Sequence, residues 1–395
     1  MHTRNPVRQP CPFTRTDMTA TLIKNGRVYD TESRRFSQRN ILVRDSLIES
    51  LDSSEETADS IIDAKGSYVT PGLIDMHCHI FNHPDQPTRV PADQIGINQG
   101  VACLCDTGST GGDTLDEFRE FVVERQATHT FALCNIGSPG KPGLKTGHAA
   151  SPELVSIEKT VRAIERNRDY ALGVKVLASS SHTGLMGLEA VKMARKAAEI
   201  TGTPLMAHIG NAPPVIDDVL DLLRPGDIVT HAYHGKIGGV LGYDDKVIPA
   251  FREAVERGIY VDIAHGRASF SFRTCEIALE QGMPIHAISS DLHKGNINSV
   301  VLSLARTMSK FRLLGLSLED VVYATTLSPA RILGIDKHGF GLLEVGGPAN
   351  ISLFNEIEKS VEVEDAGREK RTTKHWIDPV GCFVNGQYFE TSGHI

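Results

Sequence analysis

The spacing of apolar and polar positions changes rhythm twice along the chain. Over residues 18–71 short apolar stretches are separated by only a few polar residues. Leu22-Ile23-Lys24-Asn25-Gly26-Arg27-Val28 contains Asn-Gly, a strong hairpin signal. Asn40-Ile41-Leu42-Val43-Arg44-Asp45-Ser46-Leu47-Ile48 reads as two strands about an Asp-Ser turn, and Ile61-Ile62-Asp63-Ala64-Lys65-Gly66 follows. Short, closely spaced strands predict a small β-sandwich rather than βαβ units. From Pro71 onward, strand-like runs alternate with longer stretches whose apolar residues recur at helical spacing, such as Leu188 to Ile200 and Lys246 to Arg257. The runs begin at Leu73, Val101, Phe131, Ala171, Pro204, Asp227, Ile259 and Ile285. Eight βα repeats over about 270 residues match a (β/α)8 TIM barrel in count and length. After the helical pattern Val321 to Leu333 the β rhythm returns, with a turn at Gly346-Gly347-Pro348, a strand at Asn350-Ile351-Ser352-Leu353-Phe354 and a second Asn-Gly at Asn385-Gly386. The predicted architecture is α/β: a (β/α)8 barrel over residues 72–340 and one small β-sandwich domain built from both chain ends, residues 18–71 and 341–395. Residues 1–17, rich in Arg, Pro and Thr, read as a disordered extension ahead of a working start at Met18.

In barrel enzymes the chemistry sits at the C-terminal ends of the strands. The run from Leu73 ends in His77-Cys78-His79. Side chains alternate along a strand, so His77 and His79 share a face and Cys78 points away from it. The runs from Pro204, Asp227 and Ile259 end in His208, His231 and His265, and the run from Ile285 ends in Asp291. A single strand-end histidine is usually a hydrogen-bonded structural residue. Several at one edge of one barrel are hard to explain as packing, and imidazoles with a carboxylate suit zinc or a similar divalent ion. Lys175 stands between Val174 and Val176. Burying an ammonium there is costly. The lysine either reaches water or an acidic partner with its tip, or stays neutral and adds carbon dioxide to become a carboxylate-like carbamate. The Gly/Pro-rich stretch from Gly137 to Pro152 is expected to lie over the barrel mouth and cover a substrate.

Composition narrows the partners. The chain has 395 residues and a net charge of −8. That disfavours a general binder of nucleic acid or of anionic membranes. No apolar run reaches the length of a membrane span. Seven cysteines, Cys11, Cys78, Cys103, Cys105, Cys134, Cys275 and Cys382, are odd in number and irregularly spaced. They read as thiols of a reducing compartment, and the expected location is cytoplasmic. The expected partner is a small molecule, with the chain acting alone or as a homo-oligomer.

The constellation resembles the amidohydrolase superfamily, in its binuclear, carbamylated-lysine form. The resemblance spans residues 20–395 and is carried by Pro71-Gly72-Leu73-Ile74-Asp75-Met76-His77-Cys78-His79, by Lys175, His208, His231 and Asp291, and by Gly341-Leu342-Leu343-Glu344-Val345-Gly346-Gly347-Pro348-Ala349-Asn350-Ile351. Asn350 departs from the aspartate usual at that place. Gly173-Val174-Lys175-Val176, Ala207-His208-Ile209-Gly210, Asp262-Ile263-Ala264-His265-Gly266, Ser290-Asp291-Leu292-His293 and Thr307-Met308-Ser309-Lys310 are similar to the deacetylase-like branch, the amidohydrolase/deacetylase metallohydrolases. The resemblance implies that His77, His79 and Asp291 hold the more buried of two divalent metals, expected to be zinc. It implies that His208 and His231 hold the other, and that carbamylated Lys175 and a hydroxide bridge them. It further implies attack by hydroxide on a carbonyl, with Asp291 as general base and then acid. The expected substrate is an acetyl ester or amide of a small carboxylate, such as acetylated mandelate. The alternative is a cyclic amide, as for dihydroorotase or hydantoinase. His265 is expected to face the mouth and orient the substrate, with His182 and Arg267 as further candidates for gripping its carboxylate. A scaffold that had lost its metals predicts missing ligands, and none of the six is missing.

Overall fold

The computed structural model describes residues 19–54, 58–84, 90–140 and 147–392. The expected extension 1–17, and residues 141–146 of the expected covering loop, lie outside the described residues.

The N-terminal β segment forms β1 (Ala20–Asp30), β2 (Arg35–Arg44), β3 (Leu47–Leu51), β4 (Ser60–Asp63) and β5 (Tyr68–Pro71). Asn25-Gly26 is not a hairpin turn. β1 runs straight through it as a bulge: Asn25 takes φ 58° and the pairing to β2 slips between Ile23 and Gly26. Gly26 lies against β5, where an added Cβ would come within 2.6 Å of Val69 Cγ2. The turn at Asp45-Ser46 does reverse the chain between β2 and β3, with Asp45 at φ 54°.

The barrel follows as β6 (Leu73–Cys78), β7 (Val101–Gly111), β8 (His129–Asn135), β9 (Ala171–Ala178), β10 (Leu205–Ile209), β11 (Ile228–Thr230) and β12 (Tyr260–Asp262). Each is paired in parallel with its sequence neighbour. These strands are buried on both faces, which is why their sequences run apolar instead of alternating. The eighth run closes the ring irregularly. Ala287 bridges to Asp262 and Leu292 to Cys78. The Asp291 amide donates to His77 O at 2.7 Å and the His79 amide to Leu292 O at 2.9 Å. No regular ladder forms there because Asp291 takes φ 51° and the Ser289 and Ser290 hydroxyls donate to the buried carboxylates of Asp262 and Asp75.

The chain then returns to the first unit as β13 (Ile351–Glu364), β14 (Lys370–Val384) and β15 (Gln387–Glu390). Asn385 and Gly386, at φ 49° and 79°, make the tight turn between β14 and β15. The two chain ends form one mixed sheet in the order β15-β14-β13-β5-β1-β2-β3, with β4 on β1. Ile23, Val43, Val69, Ile351 and Phe383 share one core, so strands from opposite ends of the sheet enclose the same apolar residues. Asn350 ties this unit to the barrel. Its carbonyl accepts from Gly72 N at 2.8 Å, and its side-chain oxygen accepts from His129 Nε2 at 3.0 Å and Asn385 N at 2.9 Å. No helix among the described residues is long and apolar enough to cross a membrane. The six cysteines among them are free and buried, while Cys11 lies outside.

Candidate metal centre

Alternation along β6 does put His77 and His79 on one side, and the ring is built inward from there. His77 Nδ1 donates to Asp262 Oδ2 at 3.2 Å and lies 2.9 Å from the Thr230 hydroxyl, which itself donates to Asp262 at 2.6 Å. His79 Nδ1 lies 2.9 Å from Ser109 Oγ. His231 Nδ1 donates to Ala264 O at 2.7 Å. In each ring the outer nitrogen is engaged by the protein, so the tautomer these partners assign presents Nε2 to the centre.

Those inner nitrogens converge on Asp291. Its Oδ1 is 3.2 Å from His79 Nε2 and 3.9 Å from His77 Nε2. Ligand atoms of His77, His231 and Asp291 all lie within 4.8 Å of one another. His208 joins through His231, with ring centroids 4.3 Å apart. Lys175 arrives from β9 with 1% of its surface exposed, its Nζ 3.3 Å from His77 Nε2 and 3.2 Å from Met206 Sδ. β7 makes room for its stem with Gly108, at φ 90°, where a Cβ would meet Lys175 Cγ at 2.9 Å. The structure therefore brings together all six residues singled out as ligands.

Backbone and electrostatics fit the same purpose. His231, Ala264 and Asp291 occupy positive φ at 61°, 41° and 51°. Such conformations cost about 1–3 kcal/mol each and are held only where the surroundings over-determine them. Burial pushes His208 and His231 well below the usual imidazole range, helped by the neighbouring charges of His231 and His77 respectively. Neutral imidazole is the form that binds a cation. Burial raises Asp262 to about 6, against the hydrogen bonds from Ser289 and Thr230 that favour its charged form. Burial likewise raises Asp75 to about 7, against the bonds from Ser290. A cage of imidazoles, one inner carboxylate and a buried amine, with Asp262, Ser109 and Ala264 O on the outer nitrogens of His77, His79 and His231, has the donor chemistry of a divalent-metal site.

The candidates for substrate contact fall differently. His265 does not face the mouth as expected. It is fully buried, its Nδ1 donates to Gly266 O at 2.9 Å, and its Nε2 accepts from Lys310 Nζ at 2.8 Å. Phe270 covers the ring, with centroids 4.8 Å apart. Both nitrogens are engaged inside the protein, so the ring has none to offer a substrate. Arg267 is exposed on the same loop. His182 stands beside the centre, 5.6 Å from His208 ring to ring, and stacks on His148 at 5.1 Å. His148 belongs to the stretch expected to cover the mouth, and it is buried.

Asp262, Thr230, Ser109 and His148 were not singled out by sequence. Asp262 carried a signal, a charged residue in the apolar run Tyr260 to Ala264, the same kind of signal that marked Lys175. Ser109, Thr230 and His148 carried none.

Known proteins resemble this chain over most of its length. Residues 68–378 match the model of the amidohydrolase family. The chain is 33% identical over 339 residues to a deacetylase of Agrobacterium fabrum, covering 85% of this chain and 82% of that one. It is 32% identical over 333 residues to a deacetylase of Enterococcus faecalis, covering 82% and 87%. Among solved structures it is similar to one described as a dihydroorotase, with TM-score 0.88, 29% identity and coverage of 95% and 99%. A structure described as an adenine deaminase gives TM-score 0.88 and 29% identity, with coverage of 94% and 99%.

Proposed function

The chain belongs to the amidohydrolase family and is a metal-dependent hydrolase, and from that premise we propose that it removes an acetyl group from a small carboxylate-bearing ester or amide. The observation that carries this reading is the convergence of His77, His231 and Asp291 within 4.8 Å at the C-terminal strand ends. The two relatives named deacetylase, each covered over more than four fifths of its length, support the acetyl group.

In this proposal His77, His79 and Asp291 would hold one divalent ion and His208 and His231 a second, and Lys175, as a carbamate, would supply a further anionic ligand. Zinc is the ion that this set of imidazoles and carboxylates suits. Bound cations would supply Lewis-acid polarisation of the substrate carbonyl and a water acidic enough to ionise near neutral pH. The remaining work belongs to the chain. Asp291 takes the proton of the attacking water and returns it to the departing oxygen or nitrogen. Its carboxylate is held for both transfers, because its amide is fixed to His77 O and its carbonyl accepts from Asn296 Nδ2 at 2.7 Å. Lys236, half-buried on the loop after β11, is a cation whose field reaches Asp291, His208 and His231. With His182 it provides positive or hydrogen-bonding ground for a substrate carboxylate, and Arg267 stands at the rim.

Similarity to a dihydroorotase structure at TM-score 0.88 favours one other reading, hydrolysis of a cyclic amide by the same centre. Purified protein expressed with zinc should carry close to two divalent ions per chain. That protein is then assayed against acetylated hydroxy acids, acetylated amino acids and cyclic ureides. Turnover of the acetylated acids supports the proposal. Turnover confined to the ureides replaces it with the second reading, and a metal-free, inactive protein refutes both.

A further inference from the structure

Of the motifs in the sequence, Thr307-Met308-Ser309-Lys310 finds no place in the chemistry above. Lys310 sits on the helix Leu304–Leu313 with 1% of its surface exposed. Its Nζ donates to His265 Nε2 at 2.8 Å and to Val300 O at 2.6 Å. Neither partner is a carboxylate. A buried ammonium held by an imidazole and a carbonyl is costly to keep, so the pair calls for an explanation beyond packing.

The two partners lie on two different loops, and both loops end at the metal centre. His265 belongs to the turn that follows β12. In that turn Ala264 O receives the His231 Nδ1 hydrogen, and the Ala264 amide donates to Ser289 Oγ at 3.0 Å. The amides of His265 and Gly266 bond Ser289 O and Ser290 O at 3.1 and 3.0 Å. Gly266, at φ 57°, packs so closely that a Cβ there would lie 2.5 Å from Asp291 Oδ2. Val300 belongs to the loop that follows Asp291. That loop folds around Asn296, which donates to Asp291 O and accepts from His293 N at 2.9 Å. One buried amine thus bonds the loop that aims His231 and the loop that aims Asp291.

We propose that Lys310 is a positioning residue of the metal centre, clamping these two loops through His265 and Val300 and so fixing the directions of His231 and Asp291. His265 then works as the link in the clamp. The inference rests on the metal-site reading above.

The test uses the zinc-loaded full chain, with Lys310→Met, His265→Leu and the double variant beside wild type. Zinc affinity is read by competition with a chelating dye, and folding by circular dichroism and the melting curve. Outer-shell partners of metal ligands typically contribute 10–100-fold in affinity. Lys310→Met should fold and lose zinc affinity by that factor. His265→Leu should lose a similar amount, and the double variant no more than either, because one link carries both losses. Unchanged zinc affinity in folded Lys310→Met, or losses that multiply in the double variant, overturns the inference. Should Lys310→Met not fold, His265→Leu decides alone, and wild-type affinity in it refutes the clamp. Wild-type protein that binds no zinc would instead refute the metal-site reading, so the two failures are distinct.

Discussion

Replacing Lys310 by methionine should change how stability depends on pH, in a direction opposite to that of an ordinary surface lysine. Burial pushes the Lys310 ammonium from 10.5 down to about 7, Arg306 adds to the fall, and Glu364 and Asp365 oppose it weakly. His265, the imidazole in contact with it, is itself held neutral by burial and by the Lys310 charge. Between about pH 7 and 10.5 the unfolded chain binds a proton at this lysine that the folded chain does not. Stability therefore rises with pH across that window. At about 1.4 kcal/mol per pH unit, the depressed value costs on the order of 5 kcal/mol at neutral pH and below, and roughly 3 kcal/mol of that is recovered by about pH 9.5. Lys310→Met removes the whole dependence, and methionine fills much of the same space. Urea unfolding of chelator-treated wild type and variant, at pH 7 and about 9.5, isolates this one group, since every other titrating residue is common to both. Wild type should gain roughly 3 kcal/mol relative to the variant on going to the higher pH, and the variant should be no less stable at pH 7. Parallel pH profiles would mean that Lys310 keeps its proton in the fold, and the reasoning from burial would fail. The same result bears on the clamp: a lysine that lowers stability at neutral pH is not there to hold the fold together.

Other perturbations act at the centre itself. Gly108→Ala forces a β-carbon to 2.9 Å from Lys175 Cγ at a backbone φ of 90°. It should destabilise the protein by about 2 kcal/mol or more and displace the lysine, seen as a lower melting temperature and lower zinc occupancy. Lys175→Ala should leave the barrel folded and the bound metal below two ions per chain, and full occupancy with full activity would refute a bridging carbamate. Asp291→Asn keeps the shape and its backbone bonds but cannot accept the proton, so kcat should fall by about 10²–10⁴ with the circular dichroism spectrum unchanged. Loss of less than tenfold would move the general base elsewhere.

What could be read from sequence depended on how far apart the partners of each interaction lie. The barrel was legible because each parallel strand is buried on both faces and announces itself locally as an apolar run. Its eighth member was counted correctly but not as irregular, since its ladder is replaced by side-chain bonds from Ser289 and Ser290 to Asp262 and Asp75, 27 and 215 residues away. Asn25-Gly26 failed as a hairpin because β5, a later strand, presses Val69 onto Gly26 and keeps β1 extended. His77 and His79 were legible because a two-residue period is local. Lys175 and Asp262 are the same signal, a charge inside an apolar run, and only Lys175 was matched by a resemblance that gave it chemistry. His265 shows the limit most clearly. Its place at a strand end was right, yet its ring is turned by a lysine 45 residues later on a separate helix. Strand ends fix which residues can reach the centre, but which way each ring faces is decided by its second nitrogen, and that partner is a tertiary fact. His77 with Asp262, His79 with Ser109, His231 with Ala264 and His265 with Lys310 are four instances of one rule. In the first three the partner turns the inner nitrogen toward Asp291, and in the fourth it holds that nitrogen away.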